Sequence, residues 1–278
     1  RTETLIEMRD AFRDASNDDS VAVVVLTGAG DKAFCTGGDV QEYAESFTSV
    51  PRDFIKWGKV FLGVNETLRH IGKPTIARVN GLAVGGGNEF QISCDLCVAA
   101  EHAQFFQVGT SVGSVAAVSC WFLPLMVGDR RAREMLLLNK RLDAKQALEW
   151  GLINQVVPME KLDEAVDKMA QQLVEKFSDC IRYTIQHTNY FKDQSAATLG
   201  GHAGDWLAIH FTSPETYEGM TSFVEKRKTD YLKLKKLAAE GKSSEYIWGP
   251  PSRECPSCGA KAIPSEFEYC GACGKELK

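Results

Sequence analysis

The sequence predicts an α/β fold, and three observations carry that prediction. The run Val21-Ala-Val-Val-Val-Leu-Thr27 is continuous, apolar and β-branched, and it leads into a glycine-bearing loop. A second strand-like run, Thr75 to Val79, reaches a turn at Asn80-Gly81 and then the triplet Gly85-Gly86-Gly87. Beyond the triplet the pattern turns helical, with Phe90, Ile92, Ser93, Leu96 and Cys97 able to share one buried side. Strands alternating with helices point to a parallel sheet covered on its faces. The Val21–Leu26 strand is therefore expected to be buried on both sides.

Residues 4–16 have helical spacing through Leu5, Met8 and Phe12, and Asn17-Asp-Asp-Ser20 ends that helix. Gly28-Ala-Gly30 opens a loop into Phe34-Cys-Thr-Gly-Gly38. Residues 40–70 read as largely helical, with Phe54, Trp57, Val60, Phe61, Val64 and Leu68 as an apolar stripe. The stripe is assigned to the core, with a share of it as a pocket wall. Leu96–Ala99 reads as a strand, Ala103–Phe106 as a short extended piece, and Val108–Ser119 as small-residue connection. Pro124 to Gly128 leads into an Arg-rich helix over Asp129–Leu138. Leu162–Phe177 is an amphipathic helix and Ile181–Phe191 another. Gly241 to Pro251 is punctuated as a linker. The expected organisation is a core over 1–160, a helical region over 161–240, a linker over 241–254 and a small module over 255–278.

Composition excludes several classes. With 278 residues, 44% hydrophobic and 25% charged, the chain is an ordinary globular sequence. A net charge of −5 supplies no basic field, so no nucleic-acid partner is expected. No apolar run approaches the roughly 18–20 residues that cross a bilayer, so no membrane partner is expected either. Cys35, Cys94, Cys97, Cys120 and Cys180 are scattered without framework spacing, which argues for a reducing, cytoplasmic location. The other four cysteines form Cys255-Pro-Ser-Cys258-Gly and Cys270-Gly-Ala-Cys273-Gly. Paired CxxC knuckles, each followed by glycine, fit a structural zinc ribbon in which four thiolates hold one Zn²⁺, with two disulfides as the alternative. Such a module folds on its ion.

The glycine triplet also carries chemistry. A helix leaves its first N–H groups unpaired and partly positive, so a glycine turn that opens one can hold a developing negative oxygen. Glu89 lies in that first turn. Taken singly, the glycines read as close packing and Glu89 as a dipole-complementing residue. A second glycine turn, Lys32-Ala-Phe-Cys-Thr-Gly-Gly-Asp39, follows the Val21–Thr27 strand and changes the balance. Two strand-to-turn units can bring two N–H groups to one carbonyl oxygen.

This pair of turns resembles the two oxyanion-hole segments of the crotonase (enoyl-CoA hydratase/isomerase) superfamily. Three further segments agree: Cys94–Phe105, Asp143–Val157 and Gly219–Lys228. The resemblance implies a spiral of ββα units followed by C-terminal helices that build a homotrimer or a dimer of trimers. It also implies that a first strand and hairpin precede Arg1. The substrate would be an acyl-CoA thioester, with CoA as part of it and no redox cofactor. Gly38 and Gly86 would supply the oxyanion N–H groups and Glu89 the acid/base. Lys32, Phe223 and Lys226 match CoA-contacting positions, the last two often from another subunit.

Two departures mark this chain. Hydratases of the superfamily use a second glutamate, and its position carries Gly109. The segment Gly109-Thr-Ser-Val-Gly-Ser114 resembles the dihydroxynaphthoyl-CoA synthase branch, yet Ala116 replaces that branch's aspartate. With Trp121-Phe-Leu-Pro124 and Trp248-Gly-Pro-Pro251, the pattern is similar to a ring-opening hydrolase branch. His202 and Asp205 are further proton-transfer candidates at neighbouring helical positions. A non-catalytic acyl-CoA binder that docks a partner through the ribbon is the contrasting reading.

Overall fold

A computed structural model describes residues 1–47, 50–242, 244–246 and 248–277, and all their side chains but those of 199, 201 and 202. Helix α1 (Thr2–Asn17) buries Leu5 and Phe12, as their spacing requires. The chain then forms β1 (Val24–Thr27), β2 (Ala33–Cys35), the short α2 (Val40–Glu42), one π-helical turn (Tyr43–Phe47) and α3 (Pro51–Arg69). Next come β3 (Thr75–Val79), β4 (Leu82–Val84) and α4 (Gly86–Ser93). They are followed by β5 (Leu96–Ala100), β6 (Gln104–Phe106), α5 (Ala117–Val127) and α6 (Asp129–Leu138). The remaining elements are β7 (Leu142–Asp143), α7 (Ala144–Glu149), β8 (Gln155–Val157), α8 (Leu162–Val174), α9 (Ser178–His210), α10 (Pro214–Val224) and α11 (Lys233–Ala239).

Strands β1 to β6 go alternately to two sheets, after which β7 joins the second and β8 the first. One has the order β1-β3-β5-β8 and the other β2-β4-β6-β7. The first is parallel throughout, with Val24 opposite Thr75, Ile76 opposite Leu96 and Val98 opposite Gln155. In the second only β7 runs antiparallel, placing Leu142 opposite Phe105. This alternation of strands between two sheets is the expected ββα spiral. The main core lies under α3, α4 and α5, around Val64, Leu68, Ile92, Phe105 and Phe122. A second apolar layer, Ile76, Val98, Leu162 and Val166, joins the first sheet to α8.

Four expectations need correction. Strand β1 begins only at Val24 and is an edge strand with one open face, so Val25 is 41% exposed. Helix α8 covers β3 and β5 and stops short of it, which an apolar run cannot reveal. Helix α4 ends at Ser93, and Leu96 and Cys97 belong to β5 instead. Pro124 lies inside α5, where buried Val118, Phe122, Leu123 and Val127 hold the helix despite the missing N–H. Helix α9 runs for 33 residues, through Gly200 and Gly204, well beyond Phe191. Packing against α3 and α5 outweighs the roughly 1 kcal/mol that each internal glycine costs.

Candidate active site

The two glycine turns meet. Gly37 has φ +93, and a Cβ placed there would lie 3.0 Å from the Val84 carbonyl oxygen and 3.3 Å from the Gly86 nitrogen. At Gly87 a Cβ would come within 1.9 Å of the Cys35 carbonyl oxygen, so only glycine lets α4 seat against the end of β2. Asn80 clamps the approach to the first turn. Its side-chain amide donates to the carbonyl oxygens of Gly28 at 3.0 Å, Gly30 at 2.6 Å and Ala33 at 3.2 Å. Among the described residues, no backbone acceptor takes the N–H of Gly38 or of Gly86.

Both turns open on a cleft of about 120 Å³, which Glu89 also lines. Phe54, Trp57 and Phe61 of α3 form one wall, with Leu207 of α9, Phe211 just past its end and Met220 of α10. The apolar stripe is thus divided: Val64 and Leu68 are fully buried core, while its aromatic end faces the cleft. The volume is close to the roughly 150 Å³ that accommodates a benzene ring, so it suits a short or cyclic acyl group.

Glu89 is 4% exposed and is the one acidic side chain among the described residues of the lining. Its Oε1 accepts from the Ser119 N–H at 2.8 Å, at the start of α5. Burial pushes its pKa up to about 7, against the backbone N–H groups of Ser119 and Val118, which stabilise the ionised form. Gln107, also buried, donates to the Ser119 hydroxyl at 2.6 Å and holds this corner together. The Gln107–Ser119 pair and the cleft-facing Tyr43 escaped the sequence reading. Tyr43 stands one helical turn beyond Asp39, and spacing alone did not give its direction.

At Gly109 the backbone leaves no room for a side chain. A Cβ there would lie 2.9 Å from the Ser114 carbonyl oxygen and 3.3 Å from the Ala116 nitrogen. Ala116 lines the cleft as the N-cap of α5 and adds no polar side chain.

The remaining candidates lie elsewhere. Asp205 is exposed beside an adjoining depression of about 200 Å³, which shares Phe54, Trp57 and Phe61 with the Glu89 cleft, and is itself absent from that cleft's lining. Both it and His202 sit in the last third of α9, and the His202 side chain lies outside the described residues. Lys32 is exposed at the entry to β2, Phe223 is 60% exposed on α10, and Lys226 adopts a left-handed φ of 55 just beyond that helix.

The four C-terminal cysteines converge, with all their sulfurs within 4.8 Å of one another. Cys255 and Cys273 are 3.7 Å apart, and Cys258 and Cys270 are 3.8 Å apart. A disulfide would need about 2.05 Å, whereas tetrahedral thiolates at about 2.3 Å from zinc stand near 3.8 Å apart. The two knuckles repeat each other: Gly259 N–H donates to the Cys255 carbonyl at 2.9 Å, and Gly274 N–H to that of Cys270 at 2.8 Å. The donor set and its spacing fit a zinc ion.

Among the described residues no helix is long and apolar enough to cross a membrane. The profile of the enoyl-CoA hydratase/isomerase family matches residues 1–233. Solved structures agree with it. An enoyl-CoA hydratase from Mycobacterium avium subsp. paratuberculosis K-10 is 25% identical, with 83% of this chain and 88% of that one covered, at a TM-score of 0.74. An enoyl-CoA hydratase from Bacillus anthracis is 27% identical over 83% and 89%, at 0.65. Pseudomonas aeruginosa DspI is 29% identical over 82% and 86%, at 0.64. With paired glycine turns beside a buried glutamate, this chain belongs to the enoyl-CoA hydratase/isomerase (crotonase) family.

Proposed function

We propose that the chain is a hydrolase that adds water to 6-oxocyclohex-1-ene-1-carbonyl-CoA and opens its ring to 3-hydroxypimeloyl-CoA, a step of anaerobic aromatic degradation. The observation that carries this reading is a cleft of ring-sized volume with one carboxylate, Glu89, beside the Gly38 and Gly86 turns. In this reading the thioester oxygen rests on those two N–H groups. Glu89 takes a proton from water as the water oxygen bonds to the β-carbon, and the π pair moves onto the thioester oxygen. The proton then returns to the α-carbon. A second water adds to the ring ketone; the bond between the ketone and the α-carbon breaks, leaving a carboxylate and an enolate. That enolate places its charge on the same thioester oxygen, so one set of donors serves both steps.

Lys32 is proposed to contact CoA from within the subunit, and Phe223 and Lys226 from a neighbour in a trimer or dimer of trimers. Their exposure supports a contact made between chains. His202 and Asp205 remain reserve candidates for proton transfer. Cys255, Cys258, Cys270 and Cys273 are proposed to hold one structural Zn²⁺, whose coordination four thiolates complete. A cytoplasmic location follows from the reduced cysteines this reading requires. The enoyl-CoA hydratases that this chain resembles favour a second reading, simple hydration of an open-chain enoyl-CoA. Mass spectrometry after incubation with each substrate separates the two. The cyclic enone thioester is expected to gain two waters, while gain of one water by crotonyl-CoA alone would favour the second reading.

A further inference from the structure

The acyl-CoA reading leaves a gap, because the second carboxylate is absent and Gly109 has no room for one. Another hydroxyl-bearing side chain already stands at the oxyanion turns. Helix α2 is capped by Asp39, which accepts from the N–H groups of Gln41 at 2.9 Å and Glu42 at 3.2 Å. The π-helical turn that follows swings Tyr43 back over Gly38. A Cβ on Gly38 would fall 1.7 Å from the Tyr43 hydroxyl oxygen and 2.3 Å from the ring carbon that bears it. The phenol end thus fills the space a side chain at position 38 would take. That space adjoins the first oxyanion N–H.

The ring is held from several sides. Trp57 meets it edge-on at 4.9 Å and 79°, Phe211 at 5.9 Å and 90°, and Phe47 tilts against it at 6.1 Å. These contacts come from α3, the residue that ends α9 and the π turn itself, so reorienting Tyr43 would disturb three parts of the chain. Tyr43 lines the same cleft as Gly38, Gly86 and Glu89. Thr36, Gln107 and Ser114 also bring polar side chains to the lining, but Gln107 is already donating to Ser119 and Gly85.

We infer that the Tyr43 hydroxyl is a third donor to the thioester oxygen, beside the Gly38 and Gly86 N–H groups, and hence a catalytic residue of the acyl-CoA reading on which this inference rests. Burial, with the nearby Glu89 charge, raises the phenol pKa, so the group keeps its proton and serves as a donor rather than a base. A neutral donor needs no charge compensation in this apolar pocket, and it strengthens as negative charge builds on the oxygen. The arrangement also explains Gly38 in steric terms: any larger residue displaces the phenol.

The test compares wild type with Tyr43→Phe, which keeps the ring and its packing. Two CoA thioesters serve as probes: butyryl-CoA for the neutral carbonyl and acetoacetyl-CoA, which can present an enolate. Tyr43→Phe should bind butyryl-CoA within about threefold of wild type, because that interaction is largely ground-state. It should bind acetoacetyl-CoA at least tenfold more weakly and lose the enolate absorbance band. On whichever enoyl-CoA wild type converts, kcat should fall about 10²-fold, the effect of one oxyanion donor. Equal weakening toward both probes, or unchanged kcat, overturns the assignment. If the Phe variant does not fold, 3-fluorotyrosine at position 43 decides. Its more acidic phenol should tighten acetoacetyl-CoA binding alone, and no tightening overturns the proposal. Wild type that binds neither thioester would sink the acyl-CoA reading and Tyr43 with it, whereas wild-type binding with an indifferent Tyr43→Phe sinks Tyr43 only.

Discussion

Glu89 joins two opposing influences at a single carboxyl group. Burial favours the protonated form, and the first N–H groups of α5 favour the ionised one, leaving the pKa at about 7. A carboxyl raised in this way stabilises the fold at pH values below its unfolded pKa. That contribution is lost as pH rises through 7. Glu89→Gln keeps an oxygen for the Ser119 N–H and cannot ionise. Its melting temperature should therefore match wild type at pH 4 and exceed it at pH 8, by the equivalent of about 3 kcal/mol. Equal melting temperatures at pH 8 would contradict the burial argument. As the base for water, Glu89 must be ionised, so kcat/KM should rise through pH 7. Glu89→Gln should lower turnover by about 10²–10⁴-fold while CoA-ester affinity holds. Steady-state rates and calorimetry of thioester binding read the two effects separately. At this scale the sequence was informative where a glycine turn opens a helix: Gly38, Gly86 and Glu89 line one cleft. It was silent on Tyr43, Gln107 and Ser119, whose roles depend on side-chain direction across contacts distant in the chain.

Elements were legible in proportion to how far their own sequence decides them. The CxxC knuckles fix their turn geometry locally, and the four sulfurs converge as spacing demands. A zinc content of one per chain is expected, falling to none in Cys255→Ser/Cys258→Ser, as measured by plasma mass spectrometry. Retained metal would refute the assignment of these ligands. Turnover in the mutant should stay close to wild type if the ribbon is remote from the cleft. Helices α5 and α9 were misjudged because Pro124, Gly200 and Gly204 are locally unfavourable and only the packing of neighbours overrides them. Strand β1 was misjudged for the opposite reason: an apolar run specifies a strand but not which of its faces is covered.

On the scale of the whole molecule, the alternating strand pattern was readable because each ββα unit repeats the same apolar rhythm. Assembly is a different matter. Helices α9 and α10 expose Tyr190 at 66%, Phe191 at 62% and Phe223 at 60%, and apolar groups of this size call for a partner surface. Sedimentation equilibrium at micromolar concentration is expected to show trimers or their dimers. A monomer would count against the proposed second-subunit contacts of Phe223 and Lys226.

The crowding at Gly109 limits what a single substitution can do there. Since the Ser114 carbonyl and the Ala116 nitrogen already stand where a side chain would begin, Gly109→Glu cannot simply add a second carboxylate to the cleft. The segment from Ser114 to Ala116 must first be rebuilt, and that rebuilding would shift Ser119 and the hydrogen bond it gives Glu89. Adding a carboxylate at position 109 therefore puts at risk the contact that orients the one at position 89.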